Sequence, residues 1–404
     1  MQLHGKPDTP GLSDARSRLA LAPTVSYLNS GSLGPPSLRV VESVSCFRSE
    51  LAANPVDFLL RRVPPLLWKA RAKFAEFLGG DPRRLLFATN VTEAVNLIAA
   101  SVQLAAPGEI LLSDHEYTTM QWCWERAAKR CGLDLRTFPL PDRPKAPEEL
   151  LDAACKAITP RTRLLFISHV VSSTGVIVPV REICDAAHHR GIVTVVDGAH
   201  GPAFTSVQLG ELTCDYYVGS GHKWLLAPTG TAFLYFGVSR VDSVEPMQLS
   251  WGYRLPNEGG AADERDRFGS TPRLRRLECQ GTRDICPWLA VPDAIEFLAG
   301  YGNRQIWRRM RELASYTRCR LSGLSGLVLM TPDDPAMSGA MTAFALPDRT
   351  DPSWLQTQLW DQFRLEVAMP EQGTQAMIRV STHFFNTEVE IDLLADALED
   401  LLSR

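Results

Sequence analysis

Val195-Val196-Asp197-Gly198-Ala199-His200, followed by Gly219-Ser220-Gly221-His222-Lys223-Trp224, decides how this chain is read. An acid closes one apolar run, and a lysine follows a second apolar run 26 positions later. A lysine amine can form an imine with a cofactor aldehyde, and a carboxylate can keep a pyridine nitrogen protonated so that the ring accepts electrons. The pair Lys223 and Asp197 therefore fits pyridoxal 5'-phosphate, with both residues catalytic. Taken singly, each has a plainer reading. Most lysines are solvated, and an aspartate at a strand end often caps a helix. Yet Lys223 is framed by Gly221, His222, Trp224 and Leu225-Leu226-Ala227-Pro228-Thr229-Gly230. A lysine desolvated in that frame has a lowered pKa, as imine chemistry requires.

Working outward, apolar runs of strand length occur at Leu85–Thr89, Glu109–Ser113, Leu135–Leu140, Leu164–His169, Ile192–Asp197, Tyr216–Ser220 and Thr231–Phe236. Helical patterns separate most of them. Pro179–Arg190 is one, with Ile183, Ala186 and Ala187 on one face and Gly191 as the stop. Alternating strands and helices predict an α/β fold with a mostly parallel seven-stranded sheet covered on both faces. Ligands of such sheets bind at the carboxyl ends of the strands. Asp197, Ser172 and Ser220–Lys223 all fall at or just after such an end. Residues 61–286 are expected to form this large cofactor-binding domain, and 287–404 a smaller α+β domain. In the latter, helices Trp288–Ala299 and Arg304–Leu321 precede strands Leu327–Thr331, Met341–Ala345 and Met377–Ser381 and a last helix from about Thr387 to Leu402. Residues 1–60 are expected to pack on both. Asp242–Cys286 reads as long connecting loops, and its basic cluster Arg273, Arg275 and Arg276 as a solvated loop.

Composition excludes several function classes. A net charge of −4 with scattered basic residues argues against nucleic acid or an anionic membrane as partner. No apolar run is long enough to span a bilayer, and Met1–Pro10 is polar rather than a signal peptide. The nine cysteines include no Cys-x-x-Cys pair, and the nearest spacings (Cys279/Cys286, Cys123/Cys131) carry no metal signature. Free thiols at Cys155, Cys184 and Cys214 in apolar contexts point to a reducing cytoplasm. No Gly-x-Gly-x-x-Gly turn suggests a dinucleotide site.

Asp-Gly-Ala-His, Ser-Gly-His-Lys and Pro-Thr-Gly together resemble the class V aminotransferase family of fold type I pyridoxal phosphate enzymes. Cysteine desulfurases and isopenicillin N epimerase-like proteins belong to it. Tyr27–Gly31, Phe87–Asn96, His169–Ser172, Gln280–Asp284 and Ile378–Ser381 resemble further motifs, the Gln280 segment being nearest the epimerase-like branch. The resemblance implies that Val91, Thr92, Ser220 and His222 hold the phosphate and that Tyr117 stacks on the pyridine ring. It implies that Ser172 and His200 meet the ring hydroxyl, and that Asn29 and Arg379 bind the substrate. Thr282 would reach the phosphate of a neighbouring subunit, which makes the enzyme a homodimer with shared sites. Locally, Thr92 also reads as a helix N-cap, Tyr117 as a half-buried structural tyrosine and His200 as a satisfied core histidine.

Desulfurases carry a nucleophilic cysteine shortly before the Arg379 strand. Here that stretch reads Leu365-Glu366-Val367-Ala368-Met369-Pro370. Without a thiolate there, attack on a substrate sulfur is not available. The leading expectation is a C–S β-lyase acting on an S-substituted cysteine. An epimerase of the isopenicillin N epimerase type, an aminotransferase or a decarboxylating deaminase of specialised metabolism is the alternative.

Overall fold

The computed structural model describes residues 11–238, 240–254 and 264–403. Seven strands form the main sheet: β1 (Leu85–Ala88), β2 (Glu109–Ser113), β3 (Asp134–Phe138), β4 (Thr162–Ser168), β5 (Val193–Gly198), β6 (Tyr216–Ser220) and β7 (Ala232–Phe236). Their spatial order is β1-β7-β6-β5-β4-β2-β3. All pairings are parallel except those of β7, which runs antiparallel to both β1 and β6. The carboxyl ends of the other six strands therefore share one edge. In register, Ser168 lies beside Asp197 and Gly198 beside Gly219.

Nearly every residue of these strands except the edge strand β3 is buried, because helices cover both faces. On one face lie Val91–Ser101 and Thr118–Cys131, which bury Val95, Ile98 and Trp124 against Leu112, Phe166 and Val218. Asn90 starts the first of these helices by accepting the Glu93 N–H at 2.7 Å, and Gly132 ends the second at φ +67°. On the other face, Val63–Phe77, Pro147–Ala157 and Val180–His188 pack over the sheet. There Phe74 meets Phe233 at 5.1 Å, and Phe87 stacks on Trp288 at 5.2 Å. Each such side chain contributes roughly 1.5–3 kcal/mol by leaving water.

The basic cluster departs from the solvated loop expected of it. Pro272–Glu278 is a helix, capped by Thr271 with Pro272 at its first position. Arg275 is buried, pairs with Asp266 at 2.6 Å and lies over the Phe268 ring. Glu278 of the same helix grips the buried Arg71. Two helix limits also move. Pro179 precedes its helix, and Ala290 divides Cys286–Leu289 from Val291–Tyr301. Met1–Pro10 lies outside the described residues.

Val291–Tyr301 buries its apolar face in the core beneath the main sheet. From Leu313 onward the chain builds a core of its own, around Phe344, Leu355, Ile378 and Leu394. Its sheet holds β8 (Val328–Leu329), β9 (Met341–Ala345), β10 (Glu371–Gln372) and β11 (Gln375–Ser381), all antiparallel in the order β10-β11-β9-β8. The N-terminal segment touches both units. Ser26–Tyr27 pairs with Leu365–Glu366, and the Gly34 N–H donates to the His222 carbonyl at 2.8 Å.

Candidate active site

The shared strand edge opens into a cavity of about 140 Å³ lined by Asn90, Val91, Thr92, Tyr117, Met120, Ser168, Val170, Ser172, Asp197, Ala199, His200, Ser220, His222 and Lys223. Nine of the twelve candidate residues from the sequence meet there. Arg379 sits against Ser172 rather than on the cavity wall, with Asn29 behind it, and Thr282 lies elsewhere.

Lys223 is half-buried, and its Nζ lies 3.3 Å from His200 Nε2. Burial lowers its pKa from 10.5 to about 8; Asp197 opposes that shift and Arg379 adds to it. Burial raises the Asp197 pKa, while the Ala199 N–H, which donates to Oδ1 at 2.9 Å, and Lys223 hold it down. Asp197 thus lies one residue before the end of β5 as a desolvated carboxylate with one backbone donor. A cationic ring nitrogen is the partner it lacks. His200 accepts the Trp224 indole N–H at Nδ1, 3.1 Å away. Burial, then Lys223 and Arg379, push its pKa well below the usual histidine range, so the ring is neutral.

The end suited to a phosphate is built by the helix start at Val91. Asn90, not Thr92, is its N-cap, so the first-turn N–H groups of Val91 and Thr92 remain for an anion. Ser220 ends β6 on the same wall. His222 Nδ1 pairs with the Thr231 carbonyl at 2.9 Å and so carries the proton there, which leaves Nε2 to donate only as imidazolium. A bound dianion favours that form. The loop is also cut to fit, since a Cβ on Gly221 would lie 2.8 Å from Thr231 Oγ1. These groups match an aldehyde cofactor with a pyridine nitrogen at one end and a phosphate at the other.

Arg379 on β11 is buried, and among the described residues it pairs with no carboxylate. Its Nη1 donates to the Ser172 carbonyl at 2.6 Å, and its Nη2 to Ser32 Oγ at 3.0 Å and to Asn29 Oδ1 at 3.5 Å. Nε has no partner. Burial lowers its pKa to about 10. Asn29 Nδ2 donates to Glu366 Oε1 at 3.2 Å, which fixes its amide with the oxygen toward Arg379. Tyr117 stands on the exposed wall of the cavity. Thr282 is exposed and lines a separate cavity of about 280 Å³ beside Leu60, Trp251 and Trp288.

Glu116 was not anticipated. It is buried beneath the cavity floor, where it accepts the Ser113 hydroxyl at 2.6 Å and the Ser168 N–H at 3.1 Å. Burial raises its pKa to about 7, with Asp197 adding to the rise. Its place in His115-Glu116-Tyr117, next to a cavity residue, was the available signal. None of the nine cysteines lines the cavity, and all nine are free. No cluster of metal-binding side chains occurs among the described residues.

A family model described as Aminotransferase class-V matches residues 27–394. The chain is 56% identical to isopenicillin N epimerase of Streptomyces clavuligerus, over 96% of this chain and 98% of that one. It is likewise 56% identical to isopenicillin N epimerase of Amycolatopsis lactamdurans, with the same shares covered. Among solved structures, a cysteine desulfurase from Escherichia coli aligns with TM-score 0.81 and 24% identity, over 98% of this chain and 99% of that one. The cystine C–S lyase C-DES aligns with TM-score 0.82 and 21% identity, over 94% and 98%. At such identities the two structures establish the fold alone.

Proposed function

Because this chain belongs to the aminotransferase class-V family and uses pyridoxal phosphate, we propose that it is an epimerase. It inverts Cα of an amino-acid substrate of the isopenicillin N type. The carrying observation is the 56% identity, along 96% of the chain, to two isopenicillin N epimerases. The C–S β-lyase expected from the sequence has weaker support, since the likeness to a C–S lyase is at 21% identity. The absence of any cysteine from the cavity wall also speaks against a desulfurase.

When bound, pyridoxal phosphate supplies an electron sink for the charge left at Cα. Val91, Thr92, Ser220 and His222 would hold its phosphate, and Asp197 a proton at its ring nitrogen. Arg379, aided by Asn29, grips the substrate carboxylate through its guanidinium fork. Lys223, with a pKa of about 8, holds or gives up a proton near neutrality and serves Cα as base or acid. Inversion needs a proton on each side of that carbon. Tyr117, the hydroxyl on the exposed wall, carries the second. Thr282 lines a cavity separate from the site of its own chain, which supports a homodimer in which each chain completes the other's phosphate site. The nine free cysteines support a cytoplasmic setting. No described helix is long and apolar enough to cross a membrane.

The test is incubation with isopenicillin N in deuterium oxide. The epimerase reading expects the opposite Cα configuration to accumulate with deuterium at that carbon. Pyruvate plus a thiol from an S-substituted cysteine, with no inversion, would establish the lyase instead. Tyr117→Phe should slow inversion about 10²-fold, the lower end for one general acid–base group.

A further inference from the structure

The wall of the cavity beside Lys223 is a hydrogen-bonded chain with a donor-only group at each end. At one end the Trp224 indole N–H, which can only donate, points at His200 Nδ1 over 3.1 Å. Nδ1 must therefore carry the lone pair, and the neutral ring has its proton on Nε2. That Nε2–H donates to Ser172 Oγ at 3.4 Å, and to Lys223 Nζ at 3.3 Å when the lysine nitrogen is uncharged and carries a lone pair. At the other end Arg379 Nη1, also unable to accept, donates to Ser172 Oγ at 3.3 Å. With both of its lone pairs facing donors, Ser172 has its own O–H free for the cavity. The charged groups that face this chain are Lys223, Asp197 and Arg379.

We propose that Trp224 is a positioning residue. Its indole fixes His200 as the Nε2–H tautomer and thereby makes the His200–Ser172 wall a pure donor surface, selective for an ionised oxygen on the cofactor ring. The indole is itself held rigidly. It is buried, with Phe204 at 4.8 Å on one side and the His383 ring stacked at 5.9 Å on another. His383 accepts the Phe384 N–H at Nδ1 and so donates from Nε2 to the Trp224 carbonyl at 3.0 Å. His383 follows β11, the strand that carries Arg379. One element thus sets both the carboxylate clamp and the lysine's neighbour.

Trp224→Phe removes the N–H while leaving a ring to pack against Phe204 and His383. Two readouts on the cofactor-loaded enzyme test the proposal. In ¹⁵N spectra of histidine-labelled protein, with His200 assigned by the signal lost in His200→Gln, the parent should show Nε2 protonated and Nδ1 bare. W224F should populate both tautomers. In pH titrations of the bound cofactor's visible absorbance, W224F should shift the midpoint by about one unit, the size of one neutral hydrogen bond. A parent His200 protonated at Nδ1 would overturn the proposal, and that result stands even where W224F fails to fold. An unmoved tautomer in W224F, or a moved tautomer with an unmoved midpoint, would also overturn it.

Discussion

Arg71 and Arg379 are both guanidiniums sealed from water, at 0% and 4% exposure, yet the chain treats them in opposite ways. Arg71 meets Glu278 at 2.7 and 2.9 Å through Nη2, while its Nη1 donates to the Leu85 carbonyl at 2.6 Å. Ser270 fills out the carboxylate at 3.0 Å. Among the described residues Arg379 meets only neutral oxygens, from Ser172, Ser32 and Asn29. Both leave Nε unpartnered, so the contrast lies at the fork. A buried cation that brings its own anion pins three segments of the fold together. A buried cation given only neutral acceptors is held open for an anion from outside. Lys223 and Asp197 are left similarly open: each feels the other's charge, yet among the described residues neither makes an ion pair, and burial shifts both of their pKa values toward the neutral form.

The largest expected effect breaks the first kind of site. Glu278→Ala strands Arg71 and should destabilise the fold by about 3–5 kcal/mol in denaturant melts. A loss under about 1 kcal/mol would mean that the pin holds nothing. Next is the apoprotein's stability against pH. The Lys223 pKa falls from 10.5 in the unfolded chain to about 8 in the folded one. Below about pH 8 the full penalty of burying the ammonium is present. It is relieved as pH rises toward 10.5, because only the unfolded chain still binds the proton there. Lys223→Met should abolish that rise and stabilise the apoprotein at pH 7 by up to about 3 kcal/mol. Equal slopes for the two proteins would show that the amine is not desolvated. Smallest is Arg379→Ala, which should weaken substrate binding by about 1.5–3 kcal/mol while lowering the melt of the apoprotein less than E278A does. A melt lowered as far as that of E278A would erase the distinction between the two arginines.

Much of this was legible in the sequence. All seven strands of the main sheet were legible, six of them because strands buried on both faces leave little polar alternation, whereas the edge strand β3, with Asp134, Arg136 and Thr137, is partly exposed. The cavity residues after Asp197 and Ser220 were equally visible, since they follow strand ends. Charges that fold inward were not. Three arginines in seven residues read as a wet loop until Asp266, Phe268 and Glu278 supply partners that the local sequence does not announce. Glu116 was hidden for a related reason: Ser113 is only three residues away, but the second donor, Ser168 at the end of β4, is 52 positions on in the chain. The tautomer of His200 depends on an indole 24 positions away that looked like plain core.

The central claim is that the amine at position 223 tethers the cofactor. Reducing the yellow protein with borohydride, digesting it and sequencing the modified peptide by mass spectrometry tests it directly. The pyridoxyl-phosphate mass should sit on Lys223 alone, and Lys223→Ala should bind cofactor without fixing it. Label on another lysine, or a Lys223→Ala protein trapped as readily as the parent, would contradict the account.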